Sequence, residues 1–128
     1  MAYVSNIIAA QKVYLLLDSV DLPKYLFKRD TKDTNTTTEQ YIVINALPMN
    51  ADVMQQCYVN VNLHCKNVAN GVPDAETMDS YFGTITNLLH GYSDSTCMID
   101  LDKHEIFVED GLNESFYNFR FSFKYINN

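Results

Sequence analysis

The chain has 128 residues, 47% of them hydrophobic and 20% charged, with a net charge of −7. That length predicts one domain with room for a real core and no need of disulfides or metal to fold. The negative charge argues against sequence-independent nucleic-acid binding and against docking on anionic membranes, both of which need a basic face.

The three cysteines, Cys57, Cys65 and Cys97, form no C-x-x-C. The spacing signals neither a zinc framework nor a disulfide scaffold, so reduced thiols in a cytosolic setting are expected. No apolar run approaches the ~20 residues that span a bilayer. The N-terminal stretch has no basic n-region and no small-residue cleavage site, so no secretion signal is expected.

Residues 3–20 predict a helix. Val4, Ile7, Ile8, Val13, Leu16, Leu17 and Val20 fall on one side, and Tyr14 and Leu15 widen the stripe. Pro23 ends it. Residues 24–40 are polar and rich in Thr, and they read as a flexible loop, either a passive connection or a functional arm.

Tyr41 to Leu47 predicts a strand covered on both faces, stopped by Pro48. Residues 49–55 are a connection. Strand 57–65 alternates cleanly: Val59, Val61, Leu63 and Cys65 point one way, and Asn60, Asn62 and His64 the other. Asp74 caps a second helix whose apolar stripe is Met78, Tyr81, Phe82, Ile85, Leu88 and Leu89, with Gly91 as its stop.

Residues 96–101 and 105–108 read as two short strands joined by a turn near Asp102-Lys103, and Asp110-Gly111 as another turn. In the last strand, 116–126, Tyr117, Phe119, Phe121, Phe123 and Tyr125 share one face. Asn118, Arg120, Ser122 and Lys124 share the other. The expected fold is α+β: an antiparallel or mixed sheet of about five strands with two helices on one face.

His64, Cys65, His90 and His104 invite a nucleophile or metal reading. His64 and Cys65 are adjacent on a strand and face opposite ways, so they cannot share a ligand. Cys65 reads as a small core residue, and His90 as a helix-end residue favoured by the dipole. The carboxylates Asp94, Asp100, Asp102, Glu105, Glu109 and Asp110 fit no EF-hand and read as solvated turns. No catalytic residue, cofactor or metal is expected. The uncharged face of Asn60, Asn62 and His64 suits water or another subunit equally.

The run V-N-V-N-L-H, then N-G-V-P-D and an amphipathic helix, resembles small virion proteins of tailed phages. So do Y-I-V-I-N-A-L-P and the terminal F-Y-N-F-R-F-S-F-K-Y-I-N. The likeness is to the tail-terminator or tail-completion class of phages infecting gut Bacteroidales, and it covers most of the chain from residue 41. It implies a structural part in the virion, not an enzyme. Such a part forms a ring at the head–tail junction or tail end, surrounds the DNA channel and joins neck, portal or tail proteins. Under it, the basic cluster Lys24, Lys28, Arg29 and Lys32 is expected to meet acidic surface on a neighbouring subunit or ring. The alternative is a small intracellular, non-enzymatic binding or accessory domain.

Overall fold

The computed structural model describes residues 3–29, 40–51, 54–109 and 113–126. Helix α1 spans Asn6–Leu16, followed by strands β1 (Lys24–Leu26), β2 (Gln40–Ala46) and β3 (Met54–Lys66). Helix α2 (Ala75–Leu89) precedes β4 (Tyr92–Ser93), β5 (Cys97–Glu109) and β6 (Glu114–Ile126). The strands form a six-stranded sheet in the order β1-β2-β3-β6-β5-β4. It is mixed: β1 runs parallel to β2, and the other pairs are antiparallel. The fold is therefore α+β.

The centre of the sheet is a ladder of two thirteen-residue strands, β3 and β6. Val59 pairs with Phe121 and Val61 with Phe119. Their shared face is buried, and with Ile42, Ile44 and Leu63 it makes the body of the core. Met78, Ile85 and Leu89 of α2 and Ala9, Ala10, Val13 and Leu17 at α1 belong to the same cluster. Residues at period two along a strand supply one face and residues near period 3.6 along a helix supply the other, so the two patterns meet.

Helix α1 departs from expectation. It is shorter than 3–20, starting after an N-cap at Ser5 whose Oγ accepts from the Ile8 amide at 3.4 Å. Its buried face is Ala9, Ala10 and Val13, continuing to Leu17. Ile7, Ile8 and Leu15 are 47%, 44% and 66% exposed, so the helix is not buried around most of its circumference. The small alanines let the backbone approach the sheet closely, and the larger side chains are left outside.

Other boundaries differ, and β3 begins at Met54, inside the expected connection 49–55. Lys24–Leu26 is a strand, not the start of a loop, and its register on Ile42–Ile44 fixes it. Of the expected flexible loop 24–40, residues 27–29 follow β1, Gln40 begins β2, and residues 30–39 lie outside the described residues. Residues 97–109 form one strand, not two joined by a turn, with a bulge at Asp102 where the register shifts between Leu101 and Lys103. The merger of two expected strands and the addition of the short β1 and β4 bring the count to six. The expected Asp110-Gly111 turn also lies outside the described residues. Helix α2 matches closely: Asp74 Oδ1 accepts from the Thr77 amide at 3.1 Å, and Gly91, with φ 78°, follows the helix end.

Candidate functional site

The face of the sheet opposite the core carries a line of amides. Asn60 Nδ2 donates to Asn45 Oδ1 at 3.1 Å. Asn118 Nδ2 donates to Asn60 Oδ1 at 3.2 Å and to Asn62 Oδ1 at 2.7 Å. Strand alternation and register bring these residues together: Asn60 faces Asn45 on β2 and Arg120 on β6, and Asn62 faces Asn118. Asn118 donates twice, Asn60 donates and accepts, and Asn45 and Asn62 accept, so the row ties β2, β3 and β6 together side chain to side chain.

Beside this row lies an open groove of about 330 Å³, lined by Asn60, Asn62 and Asn118, by Lys103, Glu105 and Arg120, and by the rings of Phe107 and Phe116. The Arg120 guanidinium sits 4.0 Å over the Tyr58 ring, and its Nε is 3.8 Å from Asp102 Oδ2. That nitrogen is buried and forms no hydrogen bond. The bulge is what brings Asp102 alongside Arg120, because it inserts one residue between the pairs Leu101–Phe121 and Lys103–Arg120. The groove therefore offers both charges and aromatic surface.

At one end of this face stands His64. Its ring stacks on Tyr41, with centroids 4.6 Å apart and planes 2° from parallel, and Phe116 lies 5.0 Å away. Tyr41 Oη donates to Glu114 Oε1 at 2.7 Å. His64 Nδ1 is 3.3 Å from the same Glu114 oxygen and 3.7 Å from Glu109 Oε1, without forming a hydrogen bond to either. The His64 ring, and then the Tyr41 hydroxyl, hold the Glu114 carboxyl below its ordinary value. Burial, followed by the neighbouring Glu114, pushes the Tyr41 hydroxyl up.

Of the residues singled out in sequence, Asn60, Asn62 and His64 thus share one surface. The basic residues gather at the β1 edge, and Arg29 reaches this surface through Tyr41. Lys24 Nζ donates to the Val20 and Leu22 carbonyls at 2.6 and 3.1 Å, so it serves to close the turn after α1. Lys28 is exposed, and Arg29 stacks on Tyr41 with its guanidinium 4.4 Å from the ring centroid. Lys32 lies outside the described residues.

Cys65 and His64 do face opposite ways. Cys65 is buried in the core, as are Cys57 and Cys97. Asp94 is not a merely solvated carboxylate: it accepts from Thr96 N, Thr96 Oγ1 and Cys97 N and pairs with Lys12 at 2.9 Å. His90 caps α2, and its Nδ1 accepts from the Leu101 amide at 2.9 Å. Sequence reading missed Tyr41, Glu109 and Glu114 as neighbours of His64. They come from three other strands, and no spacing in the chain announces them.

No helix among the described residues is long and apolar enough to cross a membrane. No protein-family model matches the sequence, and no curated protein matches it.

Proposed function

We propose that the protein is a structural component that assembles edge to edge into a ring, in the manner of a phage neck or tail-terminator protein. One observation carries this reading: the two edges of the sheet bear opposite charge. At the β1 edge are Lys24, Lys28 and Arg29. Next to the other edge, where β4 covers only Met98 and Ile99, β5 carries Asp100, Asp102, Glu105 and Glu109 against Lys103. Edges of opposite sign at opposite ends of one sheet favour head-to-tail contact over a two-fold dimer. Head-to-tail contact closes into a ring when the rotation permits.

Among the described residues the edges are also open. Strand β4 pairs with β5 only at Met98 and Ile99, and the Leu101 amide is taken by His90. From Asp102 to Glu109 the outer edge of β5 has no strand partner among the described residues. Ile106, Phe107 and Val108 on this stretch are 40%, 40% and 46% exposed. A long, partly apolar free edge is a template for another chain. At the β1 edge Phe27 is held at φ 73° and is 45% exposed, beside Lys28. A bulky residue in that region is strained, and an interface would give the strain a use.

With a net charge of −7, the ring would surround DNA without gripping it, so free protein should not bind duplex DNA at physiological salt. The test is native mass spectrometry of the purified chain, together with its detection in purified phage particles. Charge reversal sharpens it. Lys28→Glu and Glu105→Lys should each weaken assembly, and the double variant should regain part of it. A chain that stays monomeric at every concentration and is missing from particles would instead favour a small binding domain, acting through the amide-lined groove.

A further inference from the structure

Glu109 and Glu114 are direct partners across the β5–β6 ladder. Two carboxylates placed opposite each other on one face repel. Their common neighbour from β3 is His64, and the ligating atoms of all three residues lie within 4.8 Å of one another. His64 Nδ1 is shielded from solvent and makes no hydrogen bond. A buried ring nitrogen set beside two carboxylates and bonded to neither marks a place for positive charge. We propose that His64, Glu109 and Glu114 form a binding site for a first-row divalent cation, with Zn²⁺ as the representative ion.

The distances suit such an ion. Zinc binds imidazole nitrogen and carboxylate oxygen at about 2.0–2.2 Å, which puts neighbouring ligand atoms of a tetrahedron roughly 3.3–3.5 Å apart. The two His64–glutamate separations, 3.3 and 3.7 Å, bracket that range. One imidazole and two carboxylates form a ligand set of intermediate softness, which suits Zn²⁺ or Mn²⁺ better than Ca²⁺.

The site is also held in shape. Stacking on Tyr41 fixes the plane of the imidazole. The Tyr41 hydroxyl, donating to Glu114 Oε1, plays the outer-sphere part that orients a ligating carboxylate. Arg29, over the Tyr41 ring, and Lys66, the cross-strand partner of Glu114, are cations already nearby, so a bound ion would compete with them for the two carboxylates. The ligands come from β3, β5 and β6, and the ion would fasten the end of the β5–β6 ladder to the centre of the sheet. The site stands whether or not the chain builds a ring.

The experiment uses the full chain, stripped with a chelator and titrated with Zn²⁺ and Co²⁺ at neutral pH. One equivalent should bind and raise Tm, and Co²⁺ should give visible ligand-field bands. His64→Gln and Glu109→Gln should each abolish the bands and the Tm rise. Glu109→Gln also removes one of two repelling charges, so its metal-free fold should be intact by circular dichroism. Tyr41→Phe should weaken binding on the order of tenfold while sparing the bands. No metal-dependent change at millimolar Zn²⁺ would overturn the proposal. A Tm rise that survives in Glu109→Gln would place the ion elsewhere and overturn it equally.

Discussion

The side chain of Gln55 makes both hydrogen bonds of the Val4 backbone: its Oε1 accepts from Val4 N at 2.9 Å, and its Nε2 donates to Val4 O at 2.9 Å. The amide mimics a strand residue and anchors the segment before α1 to β3. Gln55 is buried, at 3% exposure. Gln55→Leu keeps the bulk but orphans both Val4 groups, and it should cost about 1–3 kcal/mol in urea denaturation. Gln55→Glu keeps the acceptor and loses the donor, so it should be destabilised more at neutral than at acid pH. Equal loss at both would mean that the anchor contributes through packing alone.

Asp94 supplies a pH-dependent contribution. The Lys12 ammonium, then the Thr96 amide and hydroxyl, hold its carboxyl well below the usual carboxylate range. A depressed folded-state pKa means stability that is present above the unfolded value of about 3.9 and is lost as pH falls below it. Asp94→Asn should therefore be less stable than wild type at pH 7, with the gap closing under acid. Its magnitude at pH 7 should be about 1–2 kcal/mol, mostly from the hydrogen bonds of the turn. Lys12→Ala should cost less than ~1 kcal/mol, as an exposed pair does. Denaturation midpoints at pH 7 and pH 3 decide it.

The thiols should be inert in the native state. Burial pushes the Cys65 thiol up to about 12 and the Cys57 thiol up to about 11, and raises Cys97 in the same direction. An aromatic disulfide reagent at pH 8 should label none of them until guanidinium is added, and then all three. Early reaction of Cys97 alone would show that the β4 end of the sheet opens locally.

Deleting Asp102 should remove the bulge in β5. The pairs Leu101–Phe121 and Lys103–Arg120 would then follow one another without a gap, so Lys103 and Glu105 should keep their face while Arg120 loses the carboxylate beside it. The expected cost is roughly 1–3 kcal/mol. Amide resonances of Leu101, Lys103, Arg120 and Phe121 should shift, while those of β2 should hold. An unchanged spectrum would mean that the neighbouring connection absorbs the deletion.

The central ladder was plain from alternation alone, because β3 and β6 keep period two over their whole described length and one face is buried. Helix α2 was equally plain from its cap and stripe. The bulge was not. It shifts the phase of the pattern by one residue at Asp102, and such a slip reads in a sequence as an interruption. Helix α1 misled for another reason: Ile7 and Ile8 weigh more in any apolar stripe than Ala9 and Ala10, yet the small residues are the ones in contact. The strands β1 and β4 are too short to carry a pattern. Asn60, Asn62 and His64 were visible as one polar face, but the glutamates beside His64 depend on strand order, which no local spacing encodes.

The order of synthesis sets a hazard for this sheet. Strand β3 finds its antiparallel partner β2 early, but its other edge pairs with β6, the last strand of the ladder. Until β6 emerges, the nascent chain presents a thirteen-residue edge with Val59, Val61 and Leu63 uncovered. Loop closure over so long a separation is slow, and an exposed alternating strand can pair with its copies on neighbouring ribosomes. Overproduction should therefore favour inclusion bodies at high temperature, and slower translation in the cold should raise the yield of folded protein.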